Sequence, residues 1–64
     1  MEDLTVRFDN FLAIRQGACL IVEDTWNMRE INLYDDQFED MSEESLIEYL
    51  RENYFEIEDK MSEQ

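Results

Sequence analysis

Carboxylates are the residues of this chain whose number and spacing could support chemistry. The 64 residues include 18 Asp and Glu against five Lys and Arg, with no histidine and one cysteine, and the formal net charge is -13. Residues 35–64 hold twelve of these acids and only two basic residues, and so carry -10 of the charge. Side chains of this kind serve in general acid–base catalysis, in cation binding and in negatively charged binding surfaces.

Catalysis finds little support in this set of residues. Histidine, the usual general base at neutral pH, is absent, so a nucleophilic thiol at Cys19 would lack the base that activates it. Cys19 stands inside an apolar run, and we interpret it as an inert core thiol. A carboxylate pair for glycoside hydrolysis needs a substrate cleft, which a chain this short hardly provides. We therefore predict that the protein is not an enzyme and uses no cofactor.

A dedicated cation site is not indicated either. A calcium loop of the EF-hand type needs a glycine at its sixth position and a glutamate at its twelfth. Counted from Asp35, these positions hold Asp40 and Leu46, and the register that starts at Asp36 fails as well. We expect nonspecific screening by divalent cations and no metal site.

A patterned negative surface suits the sequence best. Glu44, Glu48 and Glu52 recur every four residues, which on a helix sets them about 6 Å apart along one side. Glu56 and Glu58 would lie about 6.5 Å apart on a strand, and both spacings are similar to that of successive phosphates. Taken singly, each acid is an ordinary solubilising residue, and the excess of twelve over two is what indicates a function. The predicted partner-binding residues are Asp35, Asp36, Glu39, Asp40, Glu43, Glu44, Glu48, Glu52, Glu56, Glu58 and Asp59.

A β-hairpin is predicted over residues 11–23, with a turn at Gln16 and Gly17 in which the glycine takes positive φ. Its two faces are Leu12, Ile14, Cys19 and Ile21 on one side and Phe11, Ala13, Leu20 and Val22 on the other. Both faces are apolar, and one helix in a chain of this length covers only one of them. The hairpin therefore indicates a second subunit, and we expect a homodimer.

Alternating apolar residues predict further strands near residues 4–8 and 28–34, with Ile31 and Leu33 pointing inward. A helix over residues 3–16 is the competing interpretation, because several of its apolar residues share one helical face. Thr, Val, Phe, Asp and Asn in that segment are weak helix formers, which favours strands.

The main helix is predicted near residues 42–53, with Asp40 or Ser42 as its N-cap and Asn53 as a left-handed C-cap. Alternation over residues 54–59 predicts a final short strand. The expected fold is α+β: a small antiparallel sheet packed on one main helix, within a single domain over residues 1–64. We expect fraying at residues 1–3 and 61–64.

The segment YDDQFEDMSEESLIEYLRENYFEIED, in a short acidic chain without histidine or disulfides, resembles in type the small DNA-mimic inhibitors of bacteriophages. Those families inhibit uracil-DNA glycosylase, the nucleoid protein HU, restriction systems and CRISPR effectors, and they share no diagnostic motif with this chain. The resemblance implies an acidic face that occupies the DNA-binding site of a basic host protein. It favours an HU-type protein, whose basic arms and saddle suit a broad acidic surface.

An interaction module or regulatory subunit whose acidity only aids solubility is the alternative of another class. In either case we expect no direct binding to nucleic acid or membranes, since both are anionic. Trp26 is interpreted as a partly buried residue of the core or of a dimer. The sequence shows neither a membrane helix nor a secretory leader, so we expect a cytoplasmic protein, located in the host cytoplasm or nucleoid if a phage encodes it.

Overall fold

A computed structural model describes residues 3–63 and shows a four-stranded antiparallel sheet covered on one face by helices. The elements in chain order are β1 (Leu4–Phe8), β2 (Phe11–Gln16), β3 (Cys19–Asp24), β4 (Arg29–Tyr34), a 3-10 helix (Asp36–Asp40), α1 (Glu43–Glu52) and α2 (Tyr54–Ser62). The strands lie side by side in the order β1-β2-β3-β4, each joined to the next by a tight turn. The small α+β fold expected from the sequence is confirmed.

The turn between β2 and β3 lies one residue later than predicted, at Gly17 and Ala18. Gly17 has the expected positive φ of 62°. Gln16 therefore pairs with Cys19, which moves the register by two residues from the predicted one. Because side chains alternate with period two, a shift of two leaves every residue on its predicted face.

The inner face of the sheet carries the core. Val6, Phe11, Ala13, Leu20, Val22, Ile31 and Leu33 pack there against Phe38, Leu46, Leu50, Ile57 and Met61 from the helices. Full burial of one large aliphatic or aromatic side chain contributes about 1.5–3 kcal/mol. The alternation that predicted β1 and β4 is the one that buries these residues, so the competing helix over residues 3–16 was wrong.

The outer face of the sheet has no covering element among residues 3–63. Leu12, Ile14, Cys19 and Ile21 lie at its centre and are half-buried only by their neighbours on the sheet. Cys19 was expected in the core, but its place on β3 puts it on this outer face instead. The hairpin is thus apolar on both faces, as predicted, and the helices cover one.

The predicted main helix is α1, and its ends differ from two of the expectations. Ser42 is the N-cap, since its side chain accepts a hydrogen bond from the Ser45 amide at 3.3 Å, and Asp40 instead ends the 3-10 helix. Asn53 follows α1 with φ of -110°, so it is not left-handed. Its side-chain amide donates to the Tyr49 carbonyl at 2.9 Å, and its backbone amide donates to the same carbonyl at 3.0 Å.

The strand predicted over residues 54–59 was wrong, because this segment is the first part of α2. Tyr54, Ile57 and Met61 recur at helical spacing and face the core, and the last two are each only 2% exposed. A strand would have buried Phe55 beside Ile57, whereas the helix leaves Phe55 79% exposed. The helical period becomes visible only when Met61 is included, and Met61 lies in the segment that was expected to fray.

The remaining residues expected to fray have mixed outcomes. Met1, Glu2 and Gln64 lie outside the described residues. Asp3 accepts a hydrogen bond from the Gln16 side chain at 3.2 Å, and α2 continues to Ser62.

The 3-10 helix is anchored by a charged side chain from the sheet. Arg15 lies on the inner face of β2, and its guanidinium donates to the carbonyls of Phe38 and Met41. Phe38 is fully enclosed and meets Tyr49 edge to face, with ring centroids 5.2 Å apart. Arg15, one of the five basic residues, is therefore engaged inside the fold. The acids of the surface are offset by one basic residue fewer.

Candidate partner-binding surface

The acidic residues of the second half lie on the helices or at their ends. We call them the acidic layer: Asp35, Asp36, Glu39, Asp40, Glu43, Glu44, Glu48, Glu52, Glu56, Glu58, Asp59 and Glu63. All are exposed except Glu58, which is half-buried. The layer contains the eleven predicted residues and Glu63, which lies in the segment expected to fray.

One side of α1 presents a regular row of carboxylates. Glu44, Glu48 and Glu52 lie opposite the buried Leu46 and Leu50, and successive members are about 6 Å apart along the axis. The capped N-terminus and the buried stripe hold this row on a rigid element. The predicted spacing is therefore present in the folded chain.

The second predicted pair is not arranged as expected. Glu56 and Glu58 belong to α2, where residues two apart point to different sides, so the strand spacing of about 6.5 Å does not apply. Glu56, Asp59 and Glu63 instead share the outer side of α2 at helical spacing. The helix thus groups Glu56 with Asp59 and Glu63, whereas the predicted strand would have grouped it with Glu58.

Both basic residues within the acidic layer stand beside acids. Arg51 bonds Glu48 at 3.0 Å, and Lys60 lies 3.9 Å from Glu56. Exposed pairs of this kind contribute little to stability, about 0–1 kcal/mol. The two cations lower the charge of the layer but leave an excess of ten carboxylates.

A shallow groove of about 290 Å³ lies between the 3-10 helix and α1. Its lining residues are Gln37, Met41, Ser45, Glu48, Tyr49 and Glu52. Half-buried Met41 and Tyr49 supply its apolar wall, and two exposed carboxylates supply its charge. Burial raises the pKa of Tyr49, and the nearby charges of Glu56 and Asp35 raise it further, so the phenol stays protonated at neutral pH. The groove combines an aromatic ring with negative charge.

Asp24 is the one buried carboxylate among residues 3–63, and it is not among the predicted site residues. Its oxygens accept hydrogen bonds from the side chains of Asn10 at 2.6 Å, Asn27 at 2.8 Å and Arg29 at 2.9 Å. Its Oδ1 also accepts from the backbone amides of Trp26 at 3.1 Å and Asn27 at 3.3 Å. These donors occupy both carboxylate oxygens.

The environment of Asp24 has opposing effects on its pKa. Burial alone would raise the pKa, but the hydrogen bonds from Asn27, Arg29 and Asn10 outweigh it and hold the pKa well below its usual range. A perturbed buried acid is often found at an active site. Here the donors tie two turns of the sheet to each other, and Tyr54 joins them through a hydrogen bond to the Asn10 side chain. Asp24 is therefore a structural acid.

Two further properties of residues 3–63 concern metal ions and membranes. No group of three or more His, Cys, Asp or Glu side chains in that range is placed to hold a metal ion. None of the helices there has the length and apolarity needed to cross a membrane.

No protein-family model matches this chain, and neither the curated proteins nor the solved structures include a significant match to it.

Proposed function

We propose that the protein is an acidic DNA mimic that binds the DNA-binding surface of a basic protein and blocks its access to DNA. The observation that carries the proposal is the exposure of eleven of the twelve acids of the acidic layer on rigid helices, against two basic residues. DNA-binding proteins meet the phosphate backbone with arrays of Lys and Arg and gain affinity when counterions are released. A fixed row of carboxylates offers such arrays the same kind of contact.

An HU-type nucleoid protein is the favoured target. The acidic layer extends over the 3-10 helix, α1 and α2, and a surface spread over three helices suits basic arms and a saddle that normally enclose a duplex. The groove beside Tyr49 supports a basic partner in general, because its apolar wall and the carboxylates of Glu48 and Glu52 suit the stem and the charged head of a Lys or Arg side chain.

A competition experiment tests the proposal directly. A fluorescent DNA duplex is bound to a purified HU-type protein, and displacement by this protein is followed by fluorescence anisotropy. We expect displacement that weakens steeply as salt is raised, since the contacts are between exposed charges. The triple variant Glu44→Gln, Glu48→Gln and Glu52→Gln should lose most of the displacement, because the side-chain shape is kept and the charge is removed.

The matched control replaces the same three residues with Asp, which keeps the charge on a shorter side chain. We expect this control to retain most of the displacement, and circular dichroism checks that both variants keep their helices. DNA that stays bound to HU at every concentration of the protein contradicts the choice of target. If the protein instead displaces DNA from a uracil-DNA glycosylase, a restriction enzyme or a CRISPR effector, DNA mimicry is supported with a different target. Salt-insensitive binding to partners that do not bind DNA would contradict mimicry itself.

A further inference from the structure

The outer face of the sheet is apolar at its centre, where an antiparallel sheet open to water usually carries polar residues. Leu12 and Ile14 of β2 lie there beside Cys19 and Ile21 of β3, and all four are half-buried. Exposed Thr5 and Asn32 lie on the edge strands at the two ends of the row that contains Ile14 and Ile21. An apolar centre with a polar rim is the arrangement found at protein–protein contacts.

The outer face carries one basic residue, Arg7 on β1, and three acids: Asp3 beside the start of β1, Glu23 on β3 and Glu30 on β4. One row of paired residues runs from Arg7 on β1 through Leu12 and Glu23 to Glu30 on β4. Glu23 and Glu30 are direct cross-strand partners with Cβ atoms about 5 Å apart, and like charges at such positions destabilise the pair. Neither acid forms an ion pair with any of residues 3–63, and Arg7 is three strands from Glu30, about 14 Å away.

We propose that the outer face binds the same face of a second copy of this chain. In this dimer a two-fold axis lies midway between the two sheets and runs parallel to the strands, level with the gap between β2 and β3. It places the apolar centre of one sheet against the apolar centre of the other. It also lays the β1 edge of one copy on the β4 edge of the other, so Arg7 meets the Glu30 of the second copy at two equivalent places. Each Arg7 then lies beside the paired Glu23 and Glu30 of the second copy, so opposite charges meet at these two places.

The net charge of -13 does not prevent this association. The acidic layer lies on the far side of each sheet, and with layers about 10 Å thick the two acidic layers of the dimer are about 30 Å apart. The Debye length is about 8 Å at physiological ionic strength, so repulsion across the dimer is largely screened. The apposed faces contain Asp3, Glu23 and Glu30 but no residue of the acidic layer, and Arg7 of the other copy offsets the charge of Glu23 and Glu30. The inference is independent of the proposed function.

A charge-exchange experiment tests the dimer by sedimentation velocity at micromolar concentrations. We expect a dimer for the unaltered chain. Arg7→Glu and Glu30→Arg each place like charges at both contacts and should weaken the dimer about tenfold. An equimolar mixture of the two variants should recover the dimer, since in the mixed pair the two substituted residues face each other and the two original residues face each other. The double variant should recover it as well.

The mixture is the decisive measurement. A dimer formed by either variant alone has only like charges at the two contacts, whereas the mixed dimer has opposite charges at both. Both positions are exposed, so circular dichroism should show an unchanged fold. A chain that remains monomeric up to millimolar concentration overturns the proposal. The proposal is also overturned if neither single substitution weakens the dimer, or if the mixture does not recover association. Either result would place the dimer contact elsewhere.

Discussion

Neighbouring residues of β3 have opposite environments on the two faces of one sheet. Leu20 and Val22 are enclosed under the helices, whereas Ile21 between them is half-buried on the outer face. The strand is equally apolar on both sides, yet only one side has a covering layer within residues 3–63. The comparison shows that an apolar strand face indicates a need for cover without indicating whether the same chain supplies it.

The same contrast holds for two adjacent carboxylates at the end of β3. Asp24 points to the inner face, where donors from three side chains surround it. Glu23 points to the outer face, where its paired residue is another acid, Glu30. An acid on the inner face stabilises the fold because the surrounding turns are built to bind it, whereas the acid on the outer face has only a like charge beside it.

The largest expected effect is the difference in stability cost between truncating an inner-face residue and an outer-face residue of β3. Leu20→Ala should lower the free energy of unfolding by about 2–5 kcal/mol, because it leaves a cavity under the helices. Ile21→Ala should cost only about 1 kcal/mol in dilute solution, since its side chain is partly in contact with water. Urea unfolding followed by circular dichroism measures both. Equal costs at high dilution would mean that the outer face is as fully covered as the inner one.

An intermediate effect is expected for the two carboxylates. Asp24→Asn should cost about 1.5–3 kcal/mol, because hydrogen bonds to a charged acceptor are lost and an amide group is placed among donors. Glu23→Gln is the matched control one residue away, and it should change the unfolding free energy by about 0.5 kcal/mol or less. A large loss in the control would show that the outer-face acid also has a structural role.

The pH dependence of the Asp24 substitution follows from its lowered pKa. In the unfolded chain this carboxyl takes up its proton near its ordinary pKa of about 3.9, whereas in the folded chain it does so only at lower pH. The stability that Asp24 contributes is therefore fully present well above pH 4 and is lost as the pH falls below it. The difference in unfolding free energy between the original chain and Asp24→Asn should be constant near neutral pH and shrink in acid. A difference that grows in acid would reverse this assignment.

The smallest expected effect concerns the like-charge pair on the outer face. Glu30→Lys converts the contact with Glu23 to an attraction and should stabilise the dilute monomer by about 0.2–1 kcal/mol. Glu30→Gln, which only removes the repulsion, should give a smaller gain. Thermal unfolding at low protein concentration measures both. A loss of monomer stability in the lysine variant would show that the two side chains do not interact as their pairing indicates.

Local patterns were sufficient to predict the sheet. Alternation over β1 and β4 and the glycine of the central hairpin are properties of a few neighbouring residues, and they remained valid in the folded chain. The last helix could not be assigned in this way, because Phe55 and Ile57 fit a strand while Tyr54, Ile57 and Met61 fit a helix. The choice depends on packing against β4 and α1, which no local pattern contains.

The exposure of the acidic layer could be predicted, because unpaired carboxylates are rarely buried. The burial of Asp24 could not. It requires donors from Asn10, Asn27 and Arg29, which belong to separate turns and a strand, and only the folded arrangement brings them to one point. The residue types around Asp24 give no sign of this hydrogen-bond network.

The position of the single tryptophan decides how this protein is best followed spectroscopically. Trp26 lies in the turn between β3 and β4 and is 72% exposed, although it was expected to be partly buried. Its indole is already in contact with water in the folded chain, so unfolding should change its fluorescence emission little. A shift of that emission to shorter wavelength would instead report that another molecule has covered the turn. Tryptophan fluorescence is thus a probe of association for this protein, and the far-ultraviolet signal of the backbone is the probe of folding.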